Sequence, residues 1–152
     1  AEVLKAWLVD RAMPSAIVAK WPWIEMDAAA AYFETGNPVE GIFVESWDSV
    51  EEFYAGFDAS LSVPALSFIK ALRAAGFDRT LHAGTSLTTF IVSRSRRYGL
   101  REDQPSIRFF FRGGSLHGDY SLDGDGRFAF DSVELNEDVL SLLRDLESRP
   151  VD

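Results

Sequence analysis

Near Thr80 the spacing of apolar residues changes from that of a helix to that of a strand, which limits the chain to folds that keep helices apart from sheet. Before that point, Val3, Leu4, Trp7 and Leu8 recur at helical spacing, and Met13-Pro14 interrupts them, so a first short helix is expected. Met26 to Phe33 is rich in alanine and ends at Thr35-Gly36-Asn37-Pro38, a stop signal, which predicts a second helix. The short β-branched and aromatic run Gly41-Ile42-Phe43-Val44 predicts a strand. Val50, Phe53, Tyr54 and Phe57 then stand at i, i+3, i+4 and i+7, with Asp48 placed as an N-cap and Glu51 three residues on. They predict a third helix over 48–57 with that stripe in the core. A fourth runs from Pro64 to Ala75, with Leu66, Ile69 and Leu72 inward and Gly76 as its stop.

Beyond Thr80, Leu87 to Arg94 is apolar on both faces and reads as a central strand, and the charged stretch Ser95 to Gln104 reads as a loop. If Gly113-Gly114 is a two-residue hairpin turn, Phe111 pairs with Leu116, Phe109 with Gly118 and Ile107 with Tyr120 on one face. The other face then pairs Phe110 with His117 and Arg108 with Asp119. A second hairpin through Gly124-Asp125-Gly126 would pair Leu122 with Phe128, Tyr120 with Phe130 and Asp123 with Arg127. It would also set Asp119 against Asp131, a like-charge contact that counts against its far end. Asn136 caps a last helix with Val139, Leu140, Leu142, Leu143 and Leu146 as its buried stripe. The expected fold is α+β: four N-terminal helices and one short strand, then an antiparallel β-meander of four main strands packed against a C-terminal helix. Residues 1–152 are read as one domain, with no repeat or linker.

The chain has 152 residues, 47% of them apolar, with 12 Phe and 4 Trp, enough for a sizeable core. Without cysteine it has no disulfide framework, no thiolate nucleophile and no Cys-based metal site. No apolar run reaches the ~20 residues of a membrane span and no signal-peptide pattern opens the chain, so a cytoplasmic location is expected. Charge is segregated: residues 1–60 carry 11 acids and 3 bases, residues 61–112 carry 9 bases and 3 acids, and residues 113–152 carry 10 acids and 3 bases, which sums to −9. Fields of this kind select charged partners. The net sign disfavours nucleic acid, except at the basic middle block.

No stretch carries a complete catalytic or cofactor motif, and no cofactor or metal is expected. Asp119, Ser121, Asp123 and Asp125 have the alternation of a calcium loop, but the twelfth position holds Phe130 or Ser132 instead of the closing carboxylate. They read as turn chemistry. Gly84-Thr85-Ser86 lacks the flanking glycines of a nucleophile elbow, and His82 has no partner in the sequence. Arg108, His117 and Asp119 share one sheet face in the predicted register, where they could supply an anion clamp, a base and its orienter for a small enzyme or ligand-binding protein. Arg94, Ser95, Arg96, Arg97 and Tyr98, with Arg101, could meet phosphate as an anion- or RNA-binding block. Trp21 and Trp23 flank Pro22 and are expected to close the end of the core.

Glu40, Glu45, Asp48, Glu51, Glu52 and Asp58 form a single-signed face on and around the third helix, beside Trp47. From this the expected function is a non-enzymatic acidic protein that docks and neutralises a basic protein partner, in the manner of a toxin-neutralising immunity protein or inhibitor. Glu45, Trp47, Asp48, Glu51 and Glu52 are its expected partner-binding residues.

Overall fold

Prolines and short polar caps decide where the helices begin. The computed structural model describes residues 2–96 and 103–151. Its first helices are α1 (Glu2–Leu8), α2 (Pro14–Lys20) and α3 (Ala28–Glu34). Pro14 does not merely end α1; at the first position of α2 its missing N–H costs nothing. The Asp27 carboxylate accepts from Ala30 N at 2.7 Å and starts α3 at Ala28, two residues after the expected Met26.

Asn37-Pro38 likewise serves two elements. It follows the end of α3, and it is also the N-cap and first residue of α4 (Pro38–Ala55). The expected strand Gly41–Val44 and the expected helix start at Asp48 are therefore both corrected: those residues lie inside one 18-residue helix. Its buried stripe is Phe43, Trp47, Val50 and Tyr54, whereas Phe53 and Phe57 stay partly exposed. Helix α5 (Ala59–Ala74) starts before the expected Pro64 because Asp58 caps it, accepting from Ser60 N, and Pro64 falls within its second turn.

After α5 the chain forms β1 (His82–Ser86), β2 (Thr89–Ser93), β3 (Ser106–Arg112), β4 (Ser115–Ser121) and β5 (Asp125–Phe130), then α6 (Glu137–Glu147). The five strands make one antiparallel meander in sequence order, so the sheet has one strand more than expected. The extra strand arises because Leu87 is not in a strand. It turns the chain with φ 53°, and β1 pairs back on β2 with Ser86 opposite Thr89.

The β3–β4 register is as the sequence predicts, with Arg108 opposite Asp119, Phe110 opposite His117 and Phe109 opposite Gly118. Gly113 and Gly114 turn that hairpin with φ 56° and 87°, conformations that favour glycine at both positions. The β4–β5 register is corrected by four residues: Asp119 faces Arg127 instead of Asp131. An even shift keeps the apolar face together, removes the like-charge contact and lays Phe128 over Gly118 and Tyr120 over Gly126.

Helix α4 packs against β1, and α5 and α6 against β3, all on one face of the sheet. The core between them holds Trp47, Phe68, Leu72, Phe90, Ile107, Phe109, Leu116 and Leu143, all fully buried or nearly so. Burial of each such side chain contributes about 1.5–3 kcal/mol. Among the described residues no helix is long and apolar enough to cross a membrane.

Candidate functional site

Successive residues of an α-helix are turned by about 100°, so α4 sets Asp48 and Glu51 beside the Trp47 stripe and Glu45 and Glu52 on the side turned away from it. Trp47 itself is 0% exposed, lies edge-on to Phe90 at 5.5 Å and donates its indole N–H to the Leu81 carbonyl at 2.7 Å. The expectation of a partner-binding Trp47 is therefore corrected: its large apolar area went to the core, and its polar tip closes a bond across the helix–sheet boundary.

One flank carries Asp48 and Glu51, and it turns toward α5. Arg73 reaches Asp48 at 2.7 Å, Glu51 at 3.4 Å and Asp78 at 3.3 Å. A single guanidinium shared by three carboxylates leaves the neighbourhood net negative while holding Asp48 and Glu51 against the protein's own surface. Glu40 is held in the same way by Arg79 at 3.7 Å.

The outward side carries Glu45, Ser49 and Glu52, spaced about a turn apart, and no basic group stands within 4 Å of either glutamate among the described residues. Beside Glu45 and Ser49, α4 and β1 border an open groove of about 420 Å³, lined by Glu45, Ser46, Ser49, Phe53, His82 and Thr85, with Arg96 also on its wall. β1 is the terminal strand of the sheet, and its Ala83 N–H donates to the Ser46 hydroxyl at 2.9 Å instead of to another strand. The outer edge of the sheet thus borders this groove. Phe53, 39% exposed, lines its wall and packs on Phe57 at 5.0 Å, and the turn residue Leu87 is 89% exposed. Tyr54 ties that turn to α4 through a bond from its hydroxyl to Thr88 O at 2.9 Å. Burial pushes the Tyr54 phenol well up, so it stays a donor.

Desolvation in the groove wall, helped by the Asp27 and Asp48 carboxylates, raises the Glu45 carboxyl above its ordinary value. Burial lowers His82, whose ring sits edge-on to Phe43 at 6.3 Å. The groove therefore disfavours negative charge on Glu45 and positive charge on His82, and a cation brought to Glu45 would relieve the first of these.

The outer face of the sheet, away from the helices, brings together Arg108, His117 and Asp119 as the sequence suggests. Arg108 pairs with Asp119 at 3.5 Å, while His117 Nε2 lies 2.9 Å from the Ser115 hydroxyl. Arg94 and Arg96 of the basic block are not on this face. Arg94 points inward and donates to Thr80 O at 2.6 Å and Arg149 O at 2.9 Å, and Arg96 lines the α4–β1 groove. Arg97, Tyr98 and Arg101 lie outside the described residues. Asp123 is bound through both oxygens by Arg149, at 2.9 and 3.1 Å. Trp23, expected in the core, is 74% exposed.

The sequence reading missed Ser46 and His82 as groove residues because it broke α4 at Asp48. The signal that finds them is Asn37-Pro38, read as N-cap and first helical residue. Compared with known proteins, the chain matches no family model, no curated protein and no solved structure.

Proposed function

We propose that this protein is a non-enzymatic acidic binding protein that docks and neutralises a basic protein partner, in the manner of a toxin-neutralising immunity protein or inhibitor. The observation that carries the reading is the outward side of α4: Glu45 and Glu52, neither with a basic group within 4 Å among the described residues, with Glu45 on the wall of a groove that the exposed Phe53 also lines. A rim of unpaired charge next to apolar anchors suits a protein partner, because the apolar groups supply affinity and the charge supplies rate and sign selectivity. Asp48 and Glu51 add to the field without docking, since Arg73 already holds them. An enzymatic reading of the sheet face has less support, because Asp119, which would orient His117, is instead paired with Arg108.

The test begins with capture from the native host at low salt, comparing the wild-type protein with the double variant Glu45→Gln, Glu52→Gln. Association of the purified partner should slow by about tenfold in the variant and approach the variant's rate for the wild type as salt rises, since the Debye length shrinks to about 10 Å at 0.1 M. The partner's own activity should be inhibited on binding. Recovery of the same basic protein at equal rates by both forms, or a partner whose activity is untouched, would overturn the proposal.

A further inference from the structure

The two edges of the sheet are finished differently. At the β1 edge, α4 takes up outward backbone groups: Ala83 N–H donates to the Ser46 hydroxyl at 2.9 Å, and Leu81, just before the strand, accepts from the Trp47 indole at 2.7 Å. The Ala83 bond also fixes which backbone groups face outward at the opposite edge. Because Ala83 N–H leaves the sheet, the residues of β1 that bond to β2 are His82, Gly84 and Ser86. Carried through the successive registers, this alternation aims the backbone of Leu116, Gly118 and Tyr120 at β5, where Phe130, Phe128 and Gly126 meet them. The N–H and C=O groups of Asp125, Arg127 and Ala129 therefore point away from β4. All three residues are exposed, and among the described residues no other group bonds to their outward backbone.

An open edge recruits a further strand unless a proline, a lysine or a bulge prevents it, and β5 has no proline, no lysine and an unbroken register with β4. Its charged side chains are Asp125 and Arg127, opposite in sign and on one face of the strand. Neither has a countercharge within 4 Å among the described residues, because Asp119, across from Arg127, pairs with Arg108 at 3.5 Å. We propose that β5 is the interface with a second copy of this chain. The two strands pair antiparallel about a two-fold axis at Gly126 and join two five-stranded sheets into one. Asp125 of each copy then opposes Arg127 of the other, and each such pair exchanges both backbone hydrogen bonds.

Charge selects this register over its neighbours. A two-fold axis at Asp125 or at Arg127 would set like charges against each other, and one at Phe128 would leave Arg127 against Ala129 and Asp125 against Asp131. Glycine at the axis also puts no side chain where the two backbones come closest. The approach of two chains of net charge −9 is least opposed here, since Arg108, Arg112 and Arg127 outnumber Asp119 and Asp125 on the outer face of β3, β4 and β5. A contact confined to one short strand lies at the small end of protein interfaces, so a weak dimer is expected, with a dissociation constant of about 100 μM. The interface is at the opposite edge of the sheet from the α4–β1 groove, and neither proposal needs the other.

Sedimentation equilibrium of the full chain, at concentrations up to about 1 mM, decides it together with amide exchange. The wild type should show a monomer–dimer equilibrium, and the Asp125 and Arg127 amides should exchange more slowly as the dimer fills. Arg127→Asp alone and Asp125→Arg alone should each weaken the dimer about tenfold or more, because each sets like charges opposite one another. Mixed in equal amounts, the two variants should associate with each other at about the wild-type affinity, since each supplies the charge the other lacks. Melting curves check that the variants fold, and the wild-type exchange profile needs no variant. A wild type that stays monomeric at about 1 mM, a dimer indifferent to both reversals, or single variants that do not associate when mixed would overturn the proposal. So would Asp125 and Arg127 amides equally slow at every concentration, because the chain itself would then cover the edge.

Discussion

At the scale of single residues, two groups facing one groove respond to pH in opposite directions. His82 lies below its ordinary 6.5 because burial disfavours the imidazolium. Just below that value the unfolded chain binds more protons than the fold, so the His82 contribution is full above 6.5 and is lost as pH falls. Glu45 lies above its ordinary 4.5, because desolvation and the Asp27 and Asp48 carboxylates disfavour its charge. There the fold binds more protons than the unfolded chain, so the penalty is present at neutral pH and fades as pH falls toward 4.5. Glu45→Gln should therefore melt at or above the wild-type temperature at neutral pH, even as it slows docking. His82→Asn should flatten the loss of stability that acidification brings below 6.5. Melting curves across that range test both. A wild-type and His82→Asn pair with the same pH profile would show that His82 is not held in its neutral form.

At the scale of elements, the β4–β5 hairpin shows how a turn and its strands compete. Centring the turn on Gly124-Asp125-Gly126 leaves Asp119 facing Asp131; moving it to Leu122-Asp123-Gly124 sets Asp119 opposite Arg127, Gly118 opposite Phe128 and Gly126 opposite Tyr120. A Cβ on Gly118 would fall on the Phe128 ring and the Arg108 carbonyl, and one on Gly126 would fall on Tyr120. Both aromatics thus lie flat over the strand, covering a glycine that would otherwise weaken it. Gly118→Ala must push Phe128 off the sheet and strain the β3–β4 ladder. Overpacking of this kind costs about 1–3 kcal/mol, which for a chain of this length is a fall of roughly 2–4 °C in melting temperature per kcal/mol. An unchanged melting temperature would mean that Phe128 does not rest on Gly118.

At the scale of the whole molecule, burial is uneven. Between Glu2 and Lys20 only Pro14 and Ile17 are buried, while Leu4, Leu8, Val9 and Met13 remain exposed, and Trp7 touches Phe33 with both rings partly in solvent. One end of the sheet is clamped instead. Arg94 binds carbonyls of Thr80 and Arg149, and Arg149 in turn clasps Asp123 and Asp145, joining β2, the β4–β5 turn and the chain beyond α6. Opening free energy follows buried apolar contact. Amides of α1 and α2 should therefore exchange with deuterium through local opening, well before β3 and β4, which should exchange only with global unfolding. Equal protection in the two regions would show that the N-terminal helices belong to the main cooperative unit.

By itself the sequence determined what acts over a few residues: the change of period at Thr80, the Gly113-Gly114 hairpin with Arg108 opposite Asp119, and the Asn136 cap of α6. Periodicity and turn chemistry are local, and these elements needed nothing more. Where one signal served two elements, as Asn37-Pro38 does, the sequence left α4 broken and the groove invisible. Tertiary structure decided which surface each side chain received. Trp47 looked like an anchor until Leu81, 34 residues away, took its N–H, and Asp48 looked free until Arg73, 25 residues away, turned toward it. Whether a face is covered depends on what distant chain folds onto it, and a local pattern of apolar and charged residues cannot carry that information.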